Sequence, residues 1–177
     1  SSANPVLSIR KEGNTPAWGA VYEQYFQEID KVKGQKGVLS VEKKLFVETN
    51  NGTNRQIRPV TPEQPLRIGD KVIVRLTIRT DREMNYVFLK DLRAGCFEPA
   101  DQLSSPESRD GIWYYRSPKD VSENFFINRL PEGTFVLEYP VYVSRSGEYA
   151  GGISTIQCMY APEFVSHTAG ESLRIMP

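Results

Sequence analysis

The run Lys71-Val72-Ile73-Val74-Arg75-Leu76-Thr77-Ile78-Arg79 constrains this chain more than any other. Val72, Val74, Leu76 and Ile78 point one way, while Lys71, Ile73, Arg75, Thr77 and Arg79 point the other, as in a strand with one buried face. Such a face needs neighbouring strands and a second layer against it. The flanking sequence supplies both. Residues 38–48, 85–91, 112–116, 124–128, 134–143 and 153–158 are rich in β-branched and aromatic types. Turn residues separate them: Asn50-Asn51-Gly52-Thr53-Asn54, Pro131-Glu132-Gly133 and Ser146-Gly147-Glu148. No long helix is expected. The pattern predicts an all-β, antiparallel β-sandwich of about seven strands over residues 38–177. A separate hairpin is expected over residues 6–26, although Val21, Tyr25 and Ile29 also have helical spacing. A kink is expected near Lys43-Lys44. Pro140 marks an edge or a bulge.

Lys31-Val32-Lys33-Gly34-Gln35-Lys36-Gly37 is polar, holds two glycines and reads as a linker. Residues 1–36 are therefore expected to be the last strands of a preceding domain, with residues 37–177 forming the sandwich. The chain opens without Met and reads as a piece of a longer protein, with any export signal outside it.

Lys+Arg and Asp+Glu both number 22, a formal net charge of +0. Phosphate contacts need a basic excess, so this balance argues against nucleic acid as a partner. It also argues against a polybasic membrane surface. No apolar run approaches the ~20 residues of a membrane helix.

The residues do not assemble a catalytic centre. His167 is the only histidine and lies among polar neighbours, Ser166 and Thr168. One histidine and two distant cysteines cannot supply a metal site. No cofactor and no small-molecule substrate are expected. Asn51-Gly52-Thr53 matches a glycosylation acceptor, but the tight turn accounts for it. Trp113-Tyr114-Tyr115 would suit stacking on sugar rings, as in a carbohydrate- or surface-binding module of an exported protein, but the preferred reading is that alternate rings enter the core while one lies on the surface. Cys96 and Cys158 are compatible with two buried thiols or with a disulfide, and a disulfide would imply an oxidising compartment. The strand beginning at Ile153 is expected to break at Ala161-Pro162, where Pro162 lacks an N–H. Met159, Tyr160 and Phe164 crowd that break.

Several stretches taken in order resemble a known family. These are the strand opening Gly69-Asp70-Lys71, then Phe97-Glu98-Pro99, Asn124-Phe125-Phe126-Ile127, Leu130-Pro131-Glu132-Gly133-Thr134, and Cys158-Met159-Tyr160-Ala161-Pro162-Glu163. Together they are similar to the C-terminal, receptor-binding-like macroglobulin domain of bacterial alpha-2-macroglobulin-like proteins. Residues 1–36 resemble the tail of the β-domain that flanks the thioester domain there. The resemblance implies a macroglobulin or fibronectin-III-like sandwich and a protease inhibitor, not an enzyme. A protease cuts a bait segment, and the molecule rearranges and traps it. The partners implied are the thioester domain of the same chain and target proteases. Met159, Tyr160, Ala161, Pro162 and Glu163 are the residues implied to shield the thioester from water. Export to the periplasm or cell surface, with a lipid anchor upstream, is implied too, and with it a Cys96–Cys158 disulfide. The family's reactive Cys-containing segment is not among these residues.

Overall fold

The computed structural model describes residues 8–19, 21, 25–51 and 54–177. After one 3-10 turn, Ile29–Lys31, fourteen strands follow. They are β1 (Leu39–Asn51), β2 (Asn54–Pro59), β3 (Leu66–Arg67), β4 (Lys71–Thr80), β5 (Met84–Leu92), β6 (Phe97–Pro99) and β7 (Ser105–Arg109). Then come β8 (Ile112–Pro118), β9 (Ser122–Leu130), β10 (Gly133–Val143), β11 (Gly147–Ala150), β12 (Ser154–Cys158), β13 (Ala161–His167) and β14 (Ser172–Met176). One sheet runs β2-β1-β4-β10-β6 and the other β13-β12-β5-β9-β8-β7. A small sheet, β11-β14-β3, closes one end. Every ladder is antiparallel except β14 with β3. The all-β sandwich expected from the alternation is therefore the observed architecture. The count exceeds seven because short strands such as β6, β7 and β11 carry too few residues to show a period.

β4 sits at the centre of its sheet, and Val72, Val74, Leu76 and Ile78 are all buried as the alternation requires. Facing them from the other sheet are Leu89, Phe125, Ile127 and Ile156, each at most 1% exposed. Pro140 lies in β10, where its carbonyl accepts from Ala100 N at 3.4 Å. Its missing N–H thus points to the side where β6 has already ended at Pro99, so the ladder loses nothing there.

The expected kink at Lys43-Lys44 is absent: β1 pairs with β4 without interruption from Leu39 to Glu48. Lys43 instead turns inward. Its ammonium donates to Asp91 Oδ1 at 2.8 Å, Leu92 O at 3.0 Å and Gly151 O at 3.2 Å. Asp91 also accepts from Ser154 Oγ at 2.7 Å and from the Tyr139 hydroxyl. On β9 beside it, Glu123 accepts from Arg93 Nη1 at 2.9 Å and from Arg116 Nε at 2.7 Å. A polar network thus crosses the sandwich interior.

The described residues of the hairpin expected over 6–26, namely 8–19, 21, 25 and 26, form no strand; its residues 6, 7, 20 and 22–24 lie outside the described residues. Its apolar side chains have no cover here, with Ile9 80%, Trp18 95% and Phe26 108% exposed. An isolated two-stranded hairpin is marginal without a sheet to join. From Ile29 the chain is a strap against the sandwich. Gly170 N donates to Val32 O at 2.8 Å, and Gln35 bridges His167 through bonds of 2.9 and 3.1 Å. Gly170 permits this approach, since a Cβ there would lie 1.8 Å from Ile29 O.

The expected Cys96–Cys158 disulfide is not formed; both cysteines are free and buried. Cys158 pairs with Val87 near the start of β5, whereas Cys96 follows the end of β5. The five residue steps from Val87 to Leu92 span roughly 16 Å of strand. A disulfide needs Cα atoms within roughly 7 Å. Burial pushes the Cys96 thiol up to about 11.

Two tyrosines carry a pH expectation. Burial, and then a bond to Glu107 at 3.0 Å, raise Tyr114 from its ordinary value of 10.0 to about 12. Burial, followed by the charge of Asp91, holds Tyr139 well above that ordinary value. A folded-state value above the unfolded one gives stability that is whole below pH 10 and lost as pH climbs towards 12. Phenolate absorbance and circular dichroism recorded together should show these two rings ionising with unfolding. Their ionisation in a fully folded chain would refute the expectation.

Candidate interdomain surface

The end of the sandwich away from the small sheet carries a group of exposed apolar side chains. β12 ends at Cys158, and the chain reverses at Met159-Tyr160 into β13. The expected break at Ala161-Pro162 is thus this hairpin turn, two residues earlier. Pro162 continues into β13, which is the last strand of its sheet and tolerates a missing N–H. The register shifts between Gln157 and Cys158, a bulge that re-aims the tip.

The tip is held against β5. Met159 N donates to Tyr86 O at 2.9 Å, and the Cys158 thiol donates to Asn85 O at 3.2 Å. Tyr86 has φ +56° and is skipped in the ladder with β9, so its ring leaves the sheet plane and meets the tip. The Tyr86 and Tyr160 rings meet edge to face at 5.2 Å and 84°. Yet Tyr160 is 79% exposed, Met159 53% and Tyr86 52%. Ala161 is half-buried, and Pro162 and Glu163 are exposed. The five residues singled out from the sequence are therefore brought together, facing outward. Tyr86 joins them unannounced: its strand pattern gave no sign of a left-handed residue, and that backbone turns it towards the tip.

The outer face of the larger sheet continues this surface. Across it the register sets Tyr115 beside Phe126, Phe126 beside Phe88, and Phe88 beside Gln157. Phe88 and Phe126 stack at 4.9 Å and 26°. Trp113 and Tyr115 are 71% and 47% exposed, whereas Tyr114 turns inward against Phe125. The run Trp113-Tyr114-Tyr115 thus divides between surface and core. Towards the other sheet, Glu138 accepts from Arg75 at 2.6 Å and from Arg109 at 2.7 Å. Burial works to raise this carboxyl, but the two arginines outweigh it and hold it below the usual range.

Among the described residues, no group of three or more His, Cys, Asp and Glu side chains is placed to hold a metal ion. His167 is half-buried in β13, with Nδ1 at 3.1 Å from Thr168 O and its backbone tied to Gln35.

The family model of the bacterial alpha-2-macroglobulin MG10 domain matches residues 39–163, from the first residue of β1 through the hairpin tip. The chain belongs to the bacterial alpha-2-macroglobulin MG10 family. Solved alpha-2-macroglobulins share its fold. The Salmonella protein reacted with methylamine superposes with a TM-score of 0.63 at 21% identity, over 82% of this chain and 10% of that one. Native Escherichia coli alpha-2-macroglobulin from domain MG7 to the C-terminus gives 0.62 at 17%, over 81% and 24%. The Escherichia coli protein activated by porcine elastase gives 0.63 at 18%, over 82% and 14%. Circularly permutated Ras protein 2 of Dictyostelium discoideum is 28% identical over 109 residues, 62% of this chain and 3% of its own length. The MG10-family chain thus spans a small fraction of every one of these relatives.

Proposed function

We propose that this MG10 chain works within a longer, exported alpha-2-macroglobulin that traps proteases, as the domain that packs on the thioester domain and keeps water from its reactive bond. Its partners are that thioester domain and, through the whole molecule, the target proteases. The observation that carries the reading is the tip of the β12–β13 hairpin. Met159, Tyr160 and Tyr86 are exposed, yet their backbone is pinned and two of their rings are in contact. Exposed, pre-ordered Met and Tyr side chains suit an interface core, because little freedom remains to be lost on docking. The Salmonella relative was reacted with methylamine and the Escherichia coli one activated by porcine elastase, which supports a protein that responds to a nucleophile and to a protease. Residues 1–36 fit the tail of the preceding β-domain, whose remainder would cover Trp18 and Phe26.

Amide hydrogen exchange tests the reading. In the intact full-length protein, the amides of residues 86, 158–161 and 163 should exchange more slowly than in the isolated chain, and should lose that protection after protease cleavage. Equal exchange in both would remove the docking face. A second reading, a sugar-binding module, draws on the exposed pair Trp113 and Tyr115. It requires Trp fluorescence to titrate with oligosaccharide in the isolated chain.

A further inference from the structure

The free half of one strand edge gives β1 a second binding feature. Val60 N donates to Leu45 O at 2.9 Å, so the backbone of Leu45 faces the β2 side. In an antiparallel ladder alternate residues face the same neighbour, so Lys43 and Val41 direct their N–H and C=O groups to that side too. β2 does not reach them. Its pairing with β1 runs from Asn51↔Asn54 only to Phe46↔Pro59, and beyond Val60 the chain turns away through Thr61 and Gln64. Among the described residues, nothing bonds the backbone of Val41 or Lys43 on this edge.

The bare edge is not a flat rim. It lines a cleft of about 910 Å³ together with Gly34 and Lys36 of the strap and with Thr168. Val41 is only 4% exposed, so the unpaired groups are recessed. Backbone donors and acceptors withdrawn from bulk water are costly to leave without partners. An extended segment laid beside β1 would satisfy them while keeping the pleat of the sheet.

We propose that this cleft receives an extended peptide segment, added to β1 as a strand in line with β2 and bonded to the backbone of Val41 and Lys43. The alternation of the sheet sets the chemistry of the occupant. Side chains directed inward meet Leu45, Val60 and Leu173 and are apolar; those directed outward pass Lys36 and Lys44 and are polar or acidic. Lys36 has no acidic partner among the described residues, whereas Lys44 is shared with Glu42 at 3.3 Å. The segment comes from elsewhere in the same protein: this chain covers 10% of the Salmonella relative, so most of such a molecule lies outside it. That source rests on the function proposed above; the free edge does not.

The test uses the chain itself with peptides of about ten residues, strand length plus flanks, tiling the rest of the full-length protein. In the free chain, the amides of Val41 and Lys43 should exchange faster than those of Glu42 and Lys44, which face β4. At least one peptide should then slow Val41 and Lys43 by about tenfold or more. The same peptide N-methylated at alternate residues, unable to form the ladder, should leave them unchanged. The proposal is overturned if no peptide protects these amides, if the binding peptides protect only other residues, or if the N-methylated peptide protects equally. A thioester that decays at the same rate with and without the hairpin tip would sink the lid reading instead, leaving the exchange result at β1 standing.

Discussion

Asp91→Ala should cost about 3–5 kcal/mol of stability, the range for removing one partner of a buried ion pair. Asp91 is 0% exposed and, from near the end of β5, holds Lys43, Ser154 and Tyr139 at once. Without it the Lys43 ammonium, on a side chain only 10% exposed, keeps two backbone carbonyls but loses its counter-charge. The loss comes from the stranded charge more than from the absent bond. The double variant Lys43→Met, Asp91→Leu removes both charges and should therefore be more stable than Asp91→Ala alone. Denaturant midpoints of the three chains check this. If the single and double variants are equally destabilised, the pair acts by packing and not by charge.

Phe125→Ala should cost about 3–5 kcal/mol through the cavity it leaves. Phe125 is 0% exposed, with its ring centroid 5.8 Å from that of Tyr114 and 6.1 Å from that of Tyr139. It is thus the apolar contact between two rings whose hydroxyls are committed elsewhere, to Glu107 and to Asp91. Those hydroxyl bonds limit how far either ring can move to fill the space. The denaturant midpoint should fall with little change in slope. A loss below about 1 kcal/mol would mean that the site collapses freely, contrary to the rigidity assigned to it.

Where the sequence spoke through side-chain alternation it was legible. Val72 to Ile78 showed which side of β4 is buried, and Pro140 showed where β10 has a free side. The site was half legible: the Met159-Tyr160 stretch could be located as a strand end. Its neighbour Tyr86 could not, because a left-handed backbone at a tyrosine leaves no mark in local composition. Lys43 misled for a related reason. A lysine at an inward position reads as a break in the strand, and only the distant Asp91 makes it a core residue. Cysteine pairing failed likewise, since which end of the sandwich each thiol occupies is set by topology. The N-terminal aromatic residues read as strands because composition cannot report whether a sheet is present for them to join.

The most direct test of the lid account is the lifetime of the thioester in the full-length protein carrying Met159→Ala and Tyr160→Ala. In the isolated chain this pair should change stability by no more than about 1.5 kcal/mol, the scale of the lost Tyr86–Tyr160 ring contact, because both side chains stand at the surface. In the full-length protein the same pair should admit water and shorten the thioester half-life, measured as the rate at which a free thiol appears. An unchanged half-life, together with a loss of several kcal/mol in the isolated chain of the kind core truncations give, would show that these residues are core and that the hairpin tip is not a lid.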